Sequence, residues 1–505
     1  LAIGSEMSVS SSVVREATSV VGRSRAGSGS GDGSGTSDES LTLTVSITEP
    51  DQSVTLMLGG TVDVLIDWGT NESPDVATEE DAYSHSYSRT GTYTVSISKG
   101  SGDGPYLTEF GNPDTANPDI DRITAVTSWG DLGLESLSAA FSGSAIALEV
   151  APPPATVTDL SLMFRETTAF NQDIGDWDVS NVTQMQGMFY ATTAFNQDIG
   201  DWDVSNVIRA YSMFNSALSF NNGCAAGDDS CPLTWDVSSL AAADFMFNSA
   251  LSFNQDISDW ETSSLTNAPN MFSNAVLFNQ DLSDWDVDQL LYGHWMFYGA
   301  TSFNNGCEAG DDSCPLDWHL DSNRNAQYMF YGATDFNQEV GTWDTSDVTD
   351  MSHMFDGAAS FNKGIGSWDV SNVTDMEAMF RNAEDFHQDI SGWDTSRVTN
   401  MSSMFSNATA FNQPIGGWDT GRVTDMSHMF DGAAAFNQYL GDWDTARVLE
   451  LSEMFHDAEA FDQDLSYWCV SQVDDSSRED FDTGAEIWTE PKPIWGTCDM
   501  VLRVT

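Results

Sequence analysis

Positive charge is scarce in this chain: lysine and arginine total 17 against 78 aspartates and glutamates, a formal net charge of −61. A surface so acidic repels phosphate backbones and anionic bilayers, which excludes nucleic acid as a partner. Long apolar runs are missing as well. No stretch approaches the roughly 18 to 20 apolar residues that cross a bilayer, so membrane insertion of the mature chain is not expected. Catalytic signatures are equally sparse, with no nucleophile elbow, no phosphate loop and no isolated carboxylate pair. The seven histidines are scattered, and His353 and His428, both in MSHMF, stand 75 residues apart. The reading is of a protein that is not an enzyme and has no cofactor.

Apolar material, by contrast, is ample. With 40% hydrophobic and 11% aromatic residues, the acidity is not the low-hydrophobicity signature of disorder. A single hydrophobic core stops growing well below 505 residues, so several domains or a repeating architecture is expected. The start at Leu1-Ala2-Ile3-Gly4, without an initiator Met, reads as a processed chain whose secretory signal has been removed.

The Met-Phe pairs reveal the organisation. Phe164, Phe189, Phe214, Phe247, Phe272, Phe297, Phe330, Phe355, Phe380, Phe405, Phe430 and Phe455 follow one another at steps of 25 residues, or of 33 at two places. A tryptophan keeps the same phase in all twelve units: Trp177, Trp202, Trp235, Trp260, Trp285, Trp318, Trp343, Trp368, Trp393, Trp418, Trp443 and Trp468. Such a period marks a solenoid, in which each unit buries its apolar face against the next. In the unit FNQDIGDWDVSNVTQMQGMFYATTA (residues 170–194), Phe170 to Val182 reads as extended backbone and Thr183 to Ala191 as about two helical turns with Met185, Met188 and Phe189 inward. The predicted fold class is therefore an α/β repeat solenoid of twelve coils over residues 161–468, one strand and one short helix per coil. The tryptophans with Phe189, Phe355, Phe380 and Phe405 form its core.

Both 33-residue steps carry an insert after FNNGC, and each insert holds two cysteines. Cys224 with Cys231, Cys307 with Cys314, and Cys469 with Cys498 make three local pairs. The inserts lie 83 residues apart, three coils and about 14 Å at sheet spacing, too far for a shared zinc at Zn–S bonds of about 2.3 Å. Disulfides place the chain in an oxidising, extracellular compartment, secreted or at the cell surface.

The ends differ. Residues 41–100 contain LTLTVSI, VTLML, VDVLIDWG and TYTVSIS between turn residues, which reads as a small all-β sandwich. Residues 1–40 are a Ser- and Gly-rich tail and linker. Residues 101–160 read as a capping coil in which Trp129 and Phe141 imitate the repeat's Trp and Phe positions, and residues 469–505 as a disulfide-closed cap.

Units such as FNQDIGDWDVSNVTQMQGMF and FNKGIGSWDVSNVTDMEAMF resemble the repeats of the BspA-like leucine-rich-repeat surface proteins, over about residues 120–498. That resemblance implies a secreted or surface-anchored protein with a leucine-rich-repeat-like solenoid, associated with adhesion and interaction. Ile66-Asp67-Trp68-Gly69, followed by Tyr83-Ser84-His85-Ser86-Tyr87 and Gly91-Thr92-Tyr93-Thr94-Val95, is similar to the immunoglobulin-like polycystic-kidney-disease domain. Its usual Gly-Asp-Gly turn is here Gly69-Thr70-Asn71.

Two polar ladders accompany the aromatic ones. Asp follows Trp in nine coils, including Asp344, Asp369, Asp394, Asp419 and Asp444, with Glu261, His319 and Cys469 in the others. Stacked carboxylates repel, so each is either neutralised by backbone N–H groups in an Asx turn or bridged by calcium. The turn is the favoured reading. Asn171 and its copies Asn196, Asn254, Asn279, Asn337, Asn412 and Asn437 are expected to bond the carbonyls of successive coils; their exposed neighbours offer a flat polar surface for glycan, ice or mineral. Sequons at Asn71, Asn181, Asn372, Asn400 and Asn407 suit a glycoprotein. The expected function is adhesion, or protein or glycan interaction, by a non-catalytic extracellular protein. The alternative is a structural subunit of a filament or coat whose tail or sandwich docks onto another copy; a secreted enzyme is the least expected.

Overall fold

A computed structural model describes residues 39–318 and 324–498. Within them nine strands occur, all near the N-terminus: β1 (Leu41–Ile47), β2 (Gln52–Val62), β3 (Val64–Asp67), β4 (Asp75–Ala77), β5 (Asp81–Tyr87), β6 (Gly91–Lys99), β7 (Leu107–Phe110), β8 (Ile123–Trp129) and β9 (Glu149–Val150). They form two sheets, ordered β4-β3-β6-β1-β8-β9 and β5-β2-β7. In β1 the alternation of LTLTVSI buries every second side chain, as a half-buried strand requires. Trp68, His85, Tyr87 and Tyr93 pack ring against ring in the sandwich, and the buried Tyr87 hydroxyl donates to the Trp68 carbonyl at 3.0 Å.

The sandwich is larger than the boundary at residue 100 allows. β7 pairs with β2, and β8 pairs with β1 from Leu41↔Trp129 to Val45↔Ile123. The free edge of β1 needed a partner, and the loop rich in Gly, Asn, Pro and Asp before β8 hid that strand from a local reading. Trp129 thus closes a strand instead of opening a coil, although its ring still touches Phe110 and Phe141 at 5.8 and 6.2 Å.

From β7 onward the backbone builds a parallel ladder with one rung per repeat. Glu109 pairs with Ser136, and Asp159, Gln184, Arg209, Ala242, Asn267 and Tyr292 follow in turn; the ladder continues from Asn325 through Asp350, Asp375, Asn400 and Asp425 to Glu450. The sandwich therefore supplies the first rung. Phe110 N–H donates to Ser136 O at 3.1 Å and Ser136 N–H to Thr108 O at 3.0 Å. The junction is tight: Gly111 has φ of 116°, and a Cβ there would sit 2.2 Å from the Ser138 carbonyl oxygen.

The expected short helix is absent. Among the described residues helical geometry is confined to 3-10 turns at Ile120–Arg122 and Ser476–Arg478. In the segment read as helical, alternate amides point different ways. Met185, Gly187, Phe189 and Ala191 donate to the carbonyls of Arg209, Tyr211, Met213 and Asn215 in the next repeat, while Met188, Tyr190 and Thr192 donate back three residues. Two left-handed residues per repeat, such as Gly187 and Ala191 or His353 and Gly357, make this path, and no α-helix of L-residues tolerates them. Bonds to the neighbour replace bonds along the chain.

The core is as the periodicity implies. All twelve tryptophans, with Phe189, Phe355, Phe380 and Phe405, are buried. The Met-Phe phenylalanines stack at 5.5 to 5.8 Å from one repeat to the next, as between Phe189 and Phe214 or Phe380 and Phe405, and Phe170, Phe195 and Phe220 start a second column at 5.8 and 5.9 Å. From Trp202 to Trp468, each Trp Nε1–H reaches back to the carbonyl at the FNQDI Ile position of the preceding repeat, as Trp202 does to Ile174 at 3.0 Å and Trp368 to Val340 at 2.9 Å. A buried indole N–H needs such an acceptor. The C-terminal segment stops the stack by turning rings across it: Phe481 meets Phe455 at 81° and Trp488 meets Phe461 at 86°.

Candidate functional site

Much of the acidity is structural. Each repeat turns its corners on side-chain oxygens that accept the backbone N–H two residues ahead, at Asp173 with Gly175, Asp178 with Ser180 and Asp159 with Ser161. The Trp-Asp ladder follows this rule. Asp344, Asp369 and Asp394 accept from Ser346, Ser371 and Ser396, Asp419 from Gly421 and Asp444 from Ala446, at 2.9 to 3.0 Å. The serine hydroxyl, and then the backbone N–H, hold Asp178, Asp236, Asp344 and Asp394 below the ordinary carboxylate range. Among the described residues, none of the five ladder aspartates joins two other potential ligands at a cation-sharing distance. His319 lies outside the described residues.

Because the folded-state pKa of Asp178, Asp236, Asp344 and Asp394 is depressed, their stabilisation is complete above the unfolded value and is lost as pH falls through the folded one. Thermal midpoints followed by circular dichroism should hold from neutral pH down to about 4 and fall below it, since unfolded aspartate titrates near 3.9. A midpoint that keeps rising to pH 2 would contradict the Asx-turn account.

The asparagine ladder bonds successive repeats in both senses: as expected, Asn196 and Asn279 donate through Nδ2 to the Cys224 and Cys307 carbonyls of the next repeat at 2.7 and 2.6 Å, and the side-chain oxygens accept as well. Asn171 Oδ1 accepts the backbone N–H of Asn196 at 2.8 Å, and the same bond recurs at Asn254 to Asn279, Asn304 to Asn337 and Asn412 to Asn437. The side chain accepts from amides of the next repeat, while the following glutamine donates to the carbonyl, as Gln197 does to Asn171 at 3.0 Å. The three cysteine pairs form as paired in the sequence. Inside each short loop an asparagine holds the insert: Asn221 donates to the Ala225 and Asp228 carbonyls and Asn304 to those of Glu308 and Asp311.

The sequons sit differently. Asn71 is exposed in a turn with φ of 62°, and Asn407 is exposed at a left-handed position where it donates to Asn382. Asn181 and Asn372 donate to the preceding repeat's Ala155 and Ser346 carbonyls, and Asn400 donates to Glu377 while accepting from Ser402. A glycan on these three replaces a bond between or within repeats.

With these edges locked, variation gathers on the turn face. The residue before each Met-Phe pair is left-handed in all eleven repeats from Gly187 to Glu453, yet it is Gly, Ser, Phe, Asn, Trp, Tyr, His, Ala or Glu. Nine residue types at one backbone station cannot be a packing requirement. Mid-array, the column becomes an aromatic ladder. Trp295 stacks on Tyr328 at 4.1 Å, Tyr328 on His353 at 4.3 Å, and the adjacent Tyr298 on Tyr331 at 4.4 Å. Trp295, Tyr298, Tyr328 and Tyr331 are half-exposed, and Leu291 and Tyr292 beside them are exposed. Burial raises the Tyr298 and Tyr328 hydroxyl pKa values. At one end the ladder meets buried Asp356, which His353 Nδ1 contacts at 2.9 Å and Arg381 clamps with two bonds at 3.1 and 2.6 Å. At the other, burial lowers the His294 pKa and raises that of Asp244.

Nearer the sandwich the same face holds a groove of about 500 Å³, lined by Arg165, Gln186, Tyr190 and Tyr211 among others. Arg165 lies over the Tyr190 ring at 5.6 Å and pairs with Glu166 at 2.7 Å, and Gln186 Oε1 is buried without a hydrogen-bond partner. A spaced reading of the residue before each Met-Phe pair is the signal that finds this face; the eye is drawn instead to the invariant positions.

No helix among the described residues is long and apolar enough to cross a membrane. No curated protein matches the chain. No solved structure matches it either. The repeats do match a family model, at residues 136–231, 225–314, 313–415 and 385–487, and the first match begins at Ser136, the rung that follows the sandwich. Beyond its sandwich this is a tandem-repeat protein, and the chain belongs to the family described as Mycoplasma protein of unknown function, DUF285.

Proposed function

We propose that this protein is a non-catalytic extracellular or cell-surface interaction protein, whose repeat array is a leucine-rich-repeat-like solenoid of the BspA-like kind and binds a protein or glycan through its turn face. The observation that carries this reading is the half-exposed aromatic ladder on the face where the repeats diverge, with Trp295 and Tyr328 before the Met-Phe pair and Tyr298 and Tyr331 after it. Aromatic side chains that are rigid, amphipathic and partly open to water are the usual anchors of recognition surfaces. Three disulfides are compatible with an oxidising compartment. The cleft residues Arg165, Gln186, Tyr190 and Tyr211 suit polar recognition. The reading as a filament or coat subunit leans on the tail, most of which, residues 1–38, lies outside the described residues.

The test is a binding screen of the full chain against a glycan panel and against immobilised extracellular-matrix proteins, with the double variant Trp295→Ser and Tyr328→Ser alongside. Serine already occupies this station at Ser212 and Ser403, so the fold is retained. Loss of binding by at least about tenfold, 1.4 kcal/mol, at an unchanged thermal midpoint is expected. A variant that binds as tightly as the parent rejects the turn face as the site.

A further inference from the structure

The octapeptide MSHMFDGA occurs twice, at residues 351–358 and 426–433. Its two copies have the same backbone, with φ of 57° at His353 and 56° at His428, and different neighbours. In the first copy the protein supplies its own cation. Arg381, one repeat on, clamps Asp356, and His353 Nδ1 lies at hydrogen-bond distance from the same carboxylate.

In the second copy the position of Arg381 is taken by His456, and that of Ala378, one repeat on from His353, by Glu453. His428 Nδ1 lies 3.4 Å from Glu453 Oε2 and 3.9 Å from Asp431 Oδ2, and all three ligand atoms are within 4.8 Å of one another. These separations are longer than hydrogen bonds. The 3.4 Å one is the spacing of two atoms bound to one cation, since ligands at about 2.1 Å from a tetrahedral centre are about 3.4 Å apart. His456 Nδ1 holds the other oxygen of Asp431 at 2.8 Å, as a residue orienting a metal ligand does. All three ligands are partly exposed, which leaves a path for entry.

The geometry points to a divalent metal site of the zinc class at His428, Asp431 and Glu453, positioned by His456 and standing where the first copy uses an arginine. Mixed imidazole and carboxylate donors favour a first-row transition ion over calcium, which takes six to eight oxygens. The site joins two consecutive repeats and is independent of ligand binding at the aromatic ladder.

The experiment is calorimetric titration of chelator-stripped full chain with zinc, in millimolar calcium and magnesium to mask the acidic surface. One zinc per chain is expected. His428→Ser, which copies Ser403 at the same station, and Glu453→Gln should each weaken it at least about tenfold. His456→Arg, which rebuilds the arginine arrangement, should abolish it, and His353→Ser should leave it intact. Metal-free thermal midpoints matching the parent show that the variants fold. No zinc bound by the parent under these conditions, or zinc bound equally by folded His428→Ser, overturns the assignment.

Discussion

Replacing Trp368 with alanine should destabilise the middle of the array by about 3 to 5 kcal/mol, the range for deleting a buried aromatic side chain. The ring is 4% exposed, stacks on Trp343 at 6.2 Å and touches Phe355 at 6.1 Å. Its removal opens a cavity flanked by repeats that are pinned by their own ladders and cannot close over it. It also strips the Val340 carbonyl of the indole N–H that reaches it at 2.9 Å. Stacked repeats do not unfold as one unit, so the measurement pairs urea unfolding with hydrogen exchange. Protection should fall most in the repeats on either side of Trp368. A total loss under about 1 kcal/mol would place the tryptophan column outside the load of the core.

Cutting the terminal disulfide by Cys498→Ser should have the next largest effect, about 3 to 4 kcal/mol from chain entropy alone for cysteines 29 residues apart. The bridge closes the segment carrying Phe481 and Trp488, whose rings lie across Phe455 and Phe461 and end the stack. Without it the cap frays and the last pair of parallel rings meets water. The same change at Cys231 opens a loop of only 7 residues and should matter less, about 2 kcal/mol. Urea midpoints of the two variants settle the order. A Cys498→Ser midpoint equal to the parent's would show that the C-terminal segment is held by packing, with no contribution from the cross-link.

The zinc and recognition hypotheses concern what the array carries, whereas these two changes concern what holds it. The distinction is visible along a single repeat. Trp, Phe and Asn stations recur because each contacts its own copy one repeat away. The station before Met-Phe does not recur, because its side chain points away from the core and the backbone asks only for a left-handed φ.

Several features were legible from residues alone. Phe189 and Trp368 stack on their copies because identical apolar units separated by 25 residues can bury their faces only in phase. Cys224 and Cys231 pair because a tight insert leaves them no other neighbour. The Asx turns at Asp178 and Asp344 follow from local chemistry, a carboxylate two residues before an amide. The helix expected over Thr183 to Ala191 did not form, since spacing tells which side chains face inward and not where the amides point. Strand β8 was missed because its need arises from β1, some 80 residues earlier.

By itself, then, the order of amino acids determined the repeat, its register, its core columns and its cross-links, all of which depend on a residue meeting its own kind or a near neighbour in the chain. Tertiary structure alone decided that alternate amides donate to the following repeat, that a sandwich strand provides the first rung, and that His428, Asp431 and Glu453 converge. Those outcomes depend on hydrogen bonds and distances between segments whose relation no local pattern encodes.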